Sequence, residues 1–152
     1  PTVHQGDLIA YSPLKEEFKR GDIVLLPPPP QLTQMAFERG VPIQKGDLLV
    51  KRLVGLPGDI IQVRNGRLEV NGAPDRWQQA AQKLRLTEEC VSRCVEADYD
   101  IGPLTVAEGQ VFLLGDNRGA STDSHVFGAV DQAELVGRAF WKVQRTYGSL
   151  YP

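Results

Sequence analysis

The apolar residues of this chain fall into short runs, and four of those runs begin directly after a Gly-Asp pair. Gly6-Asp7 precedes Leu8-Ile9-Ala10-Tyr11, and Gly21-Asp22 precedes Ile23-Val24-Leu25-Leu26. Gly46-Asp47 precedes Leu48-Leu49-Val50, and Gly58-Asp59 precedes Ile60-Ile61-Gln62-Val63. Glycine reaches positive φ at little cost and aspartate hydrogen-bonds its own backbone, so each pair reads as a turn that opens a strand. The strongest hairpin signal is Asn65-Gly66 between residues 60–64 and 67–71, a dipeptide suited to a type I′ turn. Further strands are expected at 109–114 and 137–144. Pro27-Pro28-Pro29-Pro30 predicts a stiff, extended spacer and excludes both helix and central strand. Residues 75–89 break the β pattern: Trp77, Ala80, Ala81 and Leu84 stand at helical spacing, with Asp75 a candidate N-cap. The expectation is a mostly β, antiparallel core made of 1–72 and 105–152, with 73–104 inserted as a small subdomain.

Composition narrows the function classes. The chain has 152 residues, 41% apolar and 24% charged, enough for one globular domain with a real core. Seventeen Lys and Arg against 19 Asp and Glu give a net charge of -2, which argues against a nucleic-acid partner. No apolar run approaches the roughly 20 residues of a bilayer-crossing helix. The only Met is Met35 and the chain opens on Pro1-Thr2, so a natural start upstream is expected. Two cysteines, Cys90 and Cys94, permit one disulfide or two free thiols, and the histidines His4 and His125 lie far from them, so no metal site and no cofactor are expected.

Two segments carry more chemistry than turns require. In Leu48-Leu49-Val50-Lys51-Arg52-Leu53-Val54, a strand would set Leu49, Lys51 and Leu53 on one face and Val50, Arg52 and Val54 on the other. Burial of a lysine lowers its pKa, and a shift of about 3 units would make Lys51 a base near neutral pH, able to take a proton from a hydroxyl. The alternative is that both basic residues snorkel from a half-exposed strand. In the second segment, residues 115–125, Ser121 and Asp123 share a face if the chain is extended, so that Ser121 could hold an amine while Asp123 pairs with a cation or caps a turn. A solvated polar loop is the other reading.

Taken together, the stretch from Lys51 to Asp59 and the later Gly-Asp-Asn-Arg box closely resemble the type I signal peptidases, membrane-bound Ser-Lys peptidases that remove signal peptides from exported proteins. Pro1-Thr2 resembles the end of the family's Ser-Met-x-Pro-Thr motif, Arg20-Gly21-Asp22-Ile23-Val24 its Arg-Gly-Asp box, and residues 108–114 the approach to Gly-Asp-Asn-Arg. The resemblance implies an antiparallel β-ribbon or open-barrel fold with Lys51 as general base and Ser121 orienting it. Arg52, Asp123, Asp116, Asn117, Arg118 and His125 would support the site. The implied substrate is a preprotein with an Ala-x-Ala-type cleavage site, its signal peptide added as a strand in a groove lined by Leu8, Ile9, Ala10 and Tyr11. Trp77, Phe140 or Trp141 are candidates for touching the membrane surface. The implied location is the extracytoplasmic, periplasmic face of a membrane, reached through an anchor upstream, where Cys90 and Cys94 could pair.

The resemblance also implies that the nucleophile lies outside the chain. In the motif the Ser stands three residues before the Pro that matches Pro1, and none of Ser12, Ser92, Ser121, Ser124 or Ser149 takes its place. The fragment by itself is then expected to be inactive. Gly119-Ala120 replaces a pair that is often Asp-Asn, and His125 stands where the family usually has Arg. The rival readings are a catalytically inactive signal-peptide binder or scaffold, the processing peptidase of conjugative transfer, and self-cleaving repressors of the LexA type.

Overall fold

A computed structural model describes residues 8–13, 17–40, 42–75 and 99–143. All pairing among these residues is antiparallel. Six strands form one sheet in the order β1-β10-β2-β3-β8-β9: β1 Leu8–Ser12, β10 Gly137–Val143, β2 Ile23–Leu26, β3 Leu49–Gly55, β8 Gln110–Leu114 and β9 Val130–Asp131. Four strands form a second sheet in the order β6-β5-β4-β7: β6 Ala73–Pro74, β5 Arg67–Val70, β4 Ile60–Arg64 and β7 Ile101–Thr105. Neither closes into a barrel among the described residues. The Gly-Asp turns at 21, 46 and 58 precede strands as expected, and Asn65 and Gly66, at φ 48 and 70, make the tight turn between β4 and β5. Gly6-Asp7 lies outside the described residues.

The unbroken apolar run of β8 and the apolar end of β3 have a simple cause. These strands are buried on both faces, so alternate side chains feed two different cores. Leu53, Val111 and Leu113 join Val24, Leu26 and Phe127 in one cluster. Val54, Phe112 and Leu114 join Ile61, Val63, Leu68 and Val70 of the second sheet in the other. Gly55 ends β3 close against Ile61 of that second sheet. A Cβ there would stand 2.8 Å from Ile61 Cδ1 and 3.0 Å from Phe112 Cβ.

One expectation is corrected. Pro30 does not continue an extended spacer but opens the helix α1, Pro30–Glu38. Proline suits the first helical position because its missing N–H would find no partner there, and its φ is already helical. The N–H of Thr33 donates to Pro29 O at 3.0 Å. The helix escapes a periodicity reading because its inward face is thin: Ala36 is buried, whereas Phe37 is 82% exposed. The stretch 73–104 contributes β6 and β7 to the second sheet at its two ends. Its middle lies outside the described residues, and with it the helix read from Trp77 to Leu84 and both cysteines.

The turn before β4 is held by Asp59. Burial would raise its carboxyl pKa, but hydrogen bonds from the Leu56 N–H, the Asn71 amide and the Arg20 guanidinium outweigh that and hold it below the ordinary value. Arg20 reaches it with one nitrogen at 2.6 and 2.7 Å from the two oxygens. Because the folded pKa is depressed, this stabilisation is present above the unfolded value near 3.8 and is lost as pH falls through the lower folded value. Asp59→Asn should cost about 1–3 kcal/mol at pH 7. In urea titrations its deficit should shrink as pH drops below 4, and a deficit independent of pH would contradict this account.

Candidate active site

Lys51 lies on β3, on the face whose apolar neighbours Leu49 and Leu53 pack into the first core. Its strand partner in β2 is Val24. The second contributor is the segment that leaves β8. Gly115 turns the chain, residues Arg118–Ala120 form one 3₁₀ turn, and Ser121 follows in extended conformation at φ -129 and ψ 129. This brings the Ser121 hydroxyl onto Lys51, whose Nζ donates to Oγ at 2.8 Å. The alternatives left open by the sequence are thereby decided for geometry: Lys51 does not snorkel, and Ser121 is not in a solvated loop.

Asp123 is fully buried, 0% exposed. A carboxylate there must be satisfied by donors. The Gly115 N–H donates to Oδ2 at 2.8 Å, and the His125 N–H donates to Oδ1 at 3.2 Å, capping the short helix α2, Ser124–Phe127. The His125 ring stands with Nδ1 2.7 Å from the same Oδ1, so an ionised carboxylate selects the tautomer with the proton on Nδ1. Of the two roles read from the sequence for Asp123, the structure shows the cap, and beside it a hydrogen bond to the His125 ring. The Ser124 hydroxyl accepts from the Leu113 N–H at 3.0 Å and ties α2 to β8.

Arg52 points to the opposite face and is buried as well. Its Nε and Nη2 fork onto the two oxygens of Asp116 at 2.8 Å each, and Nη1 donates to Gly21 O at 2.8 Å. This planar, two-point match is available to arginine and not to lysine. Arg118, 6% exposed, faces Asp75 at 3.8 Å. Asn117, half-buried, precedes Arg118 in the turn. The Asp75 carboxylate thus faces the turn that precedes Ser121, while the helix it was expected to cap lies outside the described residues. Leu8, Ile9, Ala10 and Tyr11 do not converge with these groups through the sheet. They lie on the edge strand β1, three strands along from β3. Phe140 is 67% exposed on β10, where core packing was the alternative to a surface role.

The electrostatics follow the geometry. Burial pulls the Lys51 amine below its ordinary pKa of 10.5, and the nearby Asp123 charge pulls it partly back. The Tyr99 ring stacks on His125 with centroids 4.2 Å apart and planes 6° from parallel. Burial and the Asp123 charge push its hydroxyl up to about 12, against the pull of Arg118. Tyr99 carries no sequence signal, because it stands far from the Ser121 segment in the chain. Gly115 needs its lack of a side chain: a Cβ would collide with the Ser121 hydroxyl and stand 2.6 Å from Ser121 Cβ. No group of three or more His, Cys, Asp or Glu side chains able to hold a metal occurs among the described residues.

Lys51 leaves a signature in stability. Its folded pKa is below the unfolded one, so between the two values the unfolded chain binds more protons and stability rises with pH. The urea midpoint of the protein should therefore gain on that of Lys51→Met as pH is raised from about 7 to 10. A constant difference would mean that Lys51 titrates as an exposed amine.

The sequence pattern of the family described as signal peptidase, peptidase S26, matches residues 1–144. The chain is 31% identical over 145 residues to "Probable signal peptidase I-1" of Synechocystis sp., covering 93% of this chain and 64% of that protein. It is 33% identical over 158 residues to signal peptidase I of Leptolyngbya laminosa, covering 100% of this chain and 68% of the relative. It thus spans about two thirds of the length of these curated relatives. The crystal structure of a signal peptidase I from Enterococcus faecalis superposes with a TM-score of 0.53 at 30% identity, over 81% of this chain and 97% of that one. Fold, motif order and likeness over the described core agree, and the chain belongs to the signal peptidase family, peptidase S26.

Proposed function

We propose that this chain is the catalytic part of a serine endopeptidase that removes N-terminal signal peptides from exported preproteins through a Ser-Lys pair. The observation that carries this reading is the half-buried Lys51 amine, hydrogen-bonded to Ser121 at 2.8 Å and set beside apolar neighbours. Such an amine gives up its proton more readily than an exposed lysine. In its neutral form Lys51 takes the proton of a serine hydroxyl as that oxygen attacks the scissile carbonyl. The proton then passes to the leaving amine, which departs as the new N-terminus of the mature protein. Water, activated by the same amine, hydrolyses the remaining ester and frees the signal peptide. Ser121 holds Nζ in place throughout. The attacking serine is assigned to the position three residues before Pro1. Its backbone N–H, with a hydroxyl two residues earlier, would stabilise the oxyanion.

The substrate is an extended peptide with small residues at an Ala-x-Ala site. The ladder between β3 and β8 begins at Arg52, so among the described residues the segment 49–51 is paired on the β2 side alone. A peptide laid along that segment has its scissile bond beside Lys51, the arrangement of strand addition. Leu8, Ile9, Ala10 and Tyr11 lie about 14 Å further across the sheet, where they would meet a more distant part of the preprotein. No described helix is long and apolar enough to cross a membrane. A membrane anchor is assigned to the region upstream, with the catalytic domain on the extracytoplasmic side. Exposed Phe140 is a candidate for the membrane surface.

The test is cleavage of a preprotein by the full-length protein and its variants. Lys51→Ala should lower kcat at least about 100-fold, the scale of losing a general base. The wild-type rate should rise with pH as Lys51 loses its proton, with its half-rise below the ordinary 10.5. Gly115→Ala should leave a folded protein with a rate about 10- to 100-fold lower, because the added methyl displaces Ser121. Binding of the signal peptide with no cleavage by any folded full-length form would replace the enzyme reading with that of a binder.

A further inference from the structure

The two residues that border the stretch 76–98 both touch the segment that carries Ser121 and Asp123. On one side Asp75 faces the buried Arg118 at 3.8 Å, inside the 3₁₀ turn that precedes Ser121. On the other, Tyr99 lies flat on the His125 ring, two residues after Asp123. Tyr99 also packs, half-buried, against the second core. It therefore joins a rigid core to a loop that is otherwise held by polar contacts.

We propose that Tyr99 is a positioning residue for the Lys51 site: stacked on His125, it fixes the imidazole against Asp123 and so holds the loop that presents Ser121 to Lys51. The His125 ring is bonded to Asp123 along its edge, which leaves its faces as the means of fixing its tilt. The Tyr99 ring covers one of them. It also keeps water from a hydrogen bond that is strong only in a dry setting. The charged and titratable groups around this stack are Asp123, Arg118, Asp75 and Asp116, with Lys51 across Asp123. With its hydroxyl pushed up to about 12, Tyr99 stays neutral in the working range and adds no charge against Asp123. Asp75 acts in the same sense from the other border, by opposing the buried charge of Arg118.

This inference rests on Lys51 as base only for its kinetic arm, and a second arm is independent of activity. In the full-length protein, the rate at which an amine-specific acylating reagent labels Lys51, located by mass spectrometry across pH, reports where Lys51 titrates. Tyr99→Leu keeps an apolar side chain and removes the flat face. It should lower kcat on the order of tenfold with KM nearly unchanged, as expected for a misplaced catalytic group. Its Lys51 midpoint should move up toward the ordinary lysine range, because a loosened loop admits water to an amine whose shift comes first from burial. Tyr99→Phe keeps the ring and should restore most of the activity. In a double-mutant cycle, Tyr99→Leu should add little on top of His125→Asn. A folded Tyr99→Leu protein with wild-type kcat, KM and Lys51 midpoint would overturn the proposal, whatever its melting temperature. If Tyr99→Leu does not fold, Tyr99→Met takes its place. Failure of both to fold while Tyr99→Phe folds would assign the ring to core packing and likewise overturn it. Should Lys51→Ala leave cleavage intact, the base reading falls, and the labelling midpoint still decides the role of Tyr99.

Discussion

Everything at this site is arranged around one buried carboxylate. Asp123 is excluded from water, and an ion in that position is tolerated only when its oxygens are met by donors. The donors come from three places: the backbone at the end of β8, the backbone of the first turn of α2, and the His125 ring. Meeting them forces residues 115–123 into one path, and that path sets Ser121 against Lys51. The same charge opposes the effect of burial on Lys51. The amine is thus balanced between an apolar wall that disfavours its proton and an anion that favours it. The two effects act on the amine in opposite directions, and burial is the larger.

The other motifs are tied together by two arginines. Arg20 joins the Arg-Gly-Asp box to Asp59 at the start of β4. Arg52 joins the strand of Lys51 both to Gly21 in that box and to Asp116 in the Gly-Asp-Asn-Arg turn. Ion pairs in dry surroundings add little net stability, since desolvation offsets most of the attraction. Their effect here is on register. A slip of one residue in β3 would carry Lys51 to the face of the second sheet and leave Asp116 buried without its fork.

Much of the fold was legible because its signals are local. Turn chemistry at the Gly-Asp pairs and at Asn65-Gly66 depends on two residues and their own backbone, and those strands stand where expected. The partition of Lys51 and Arg52 to opposite faces follows from the strand period alone. The helix α1 was missed for an equally local reason: a Pro run that excludes a helix interior is welcome at a helix start. Tyr99, and the turn of Asp75 toward Arg118, had no local signal at all. Each contact joins residues more than twenty positions apart through a sheet whose order only folding reveals.

By itself the sequence determined the element types, the alternation of faces and the motif residues able to do proton chemistry, since these depend on near neighbours. It left open whether the Lys51 amine is drawn in among apolar neighbours or snorkels to the surface, and whether Ser121 meets it or lies in a solvated loop. Those questions turn on burial and on distances across the sheet. Packing of β3 and β8 between two cores removes water from Lys51, and the return of the chain past Gly115 brings the hydroxyl to within 2.8 Å. Desolvation is a property of the assembled surroundings, so only the tertiary structure could decide it.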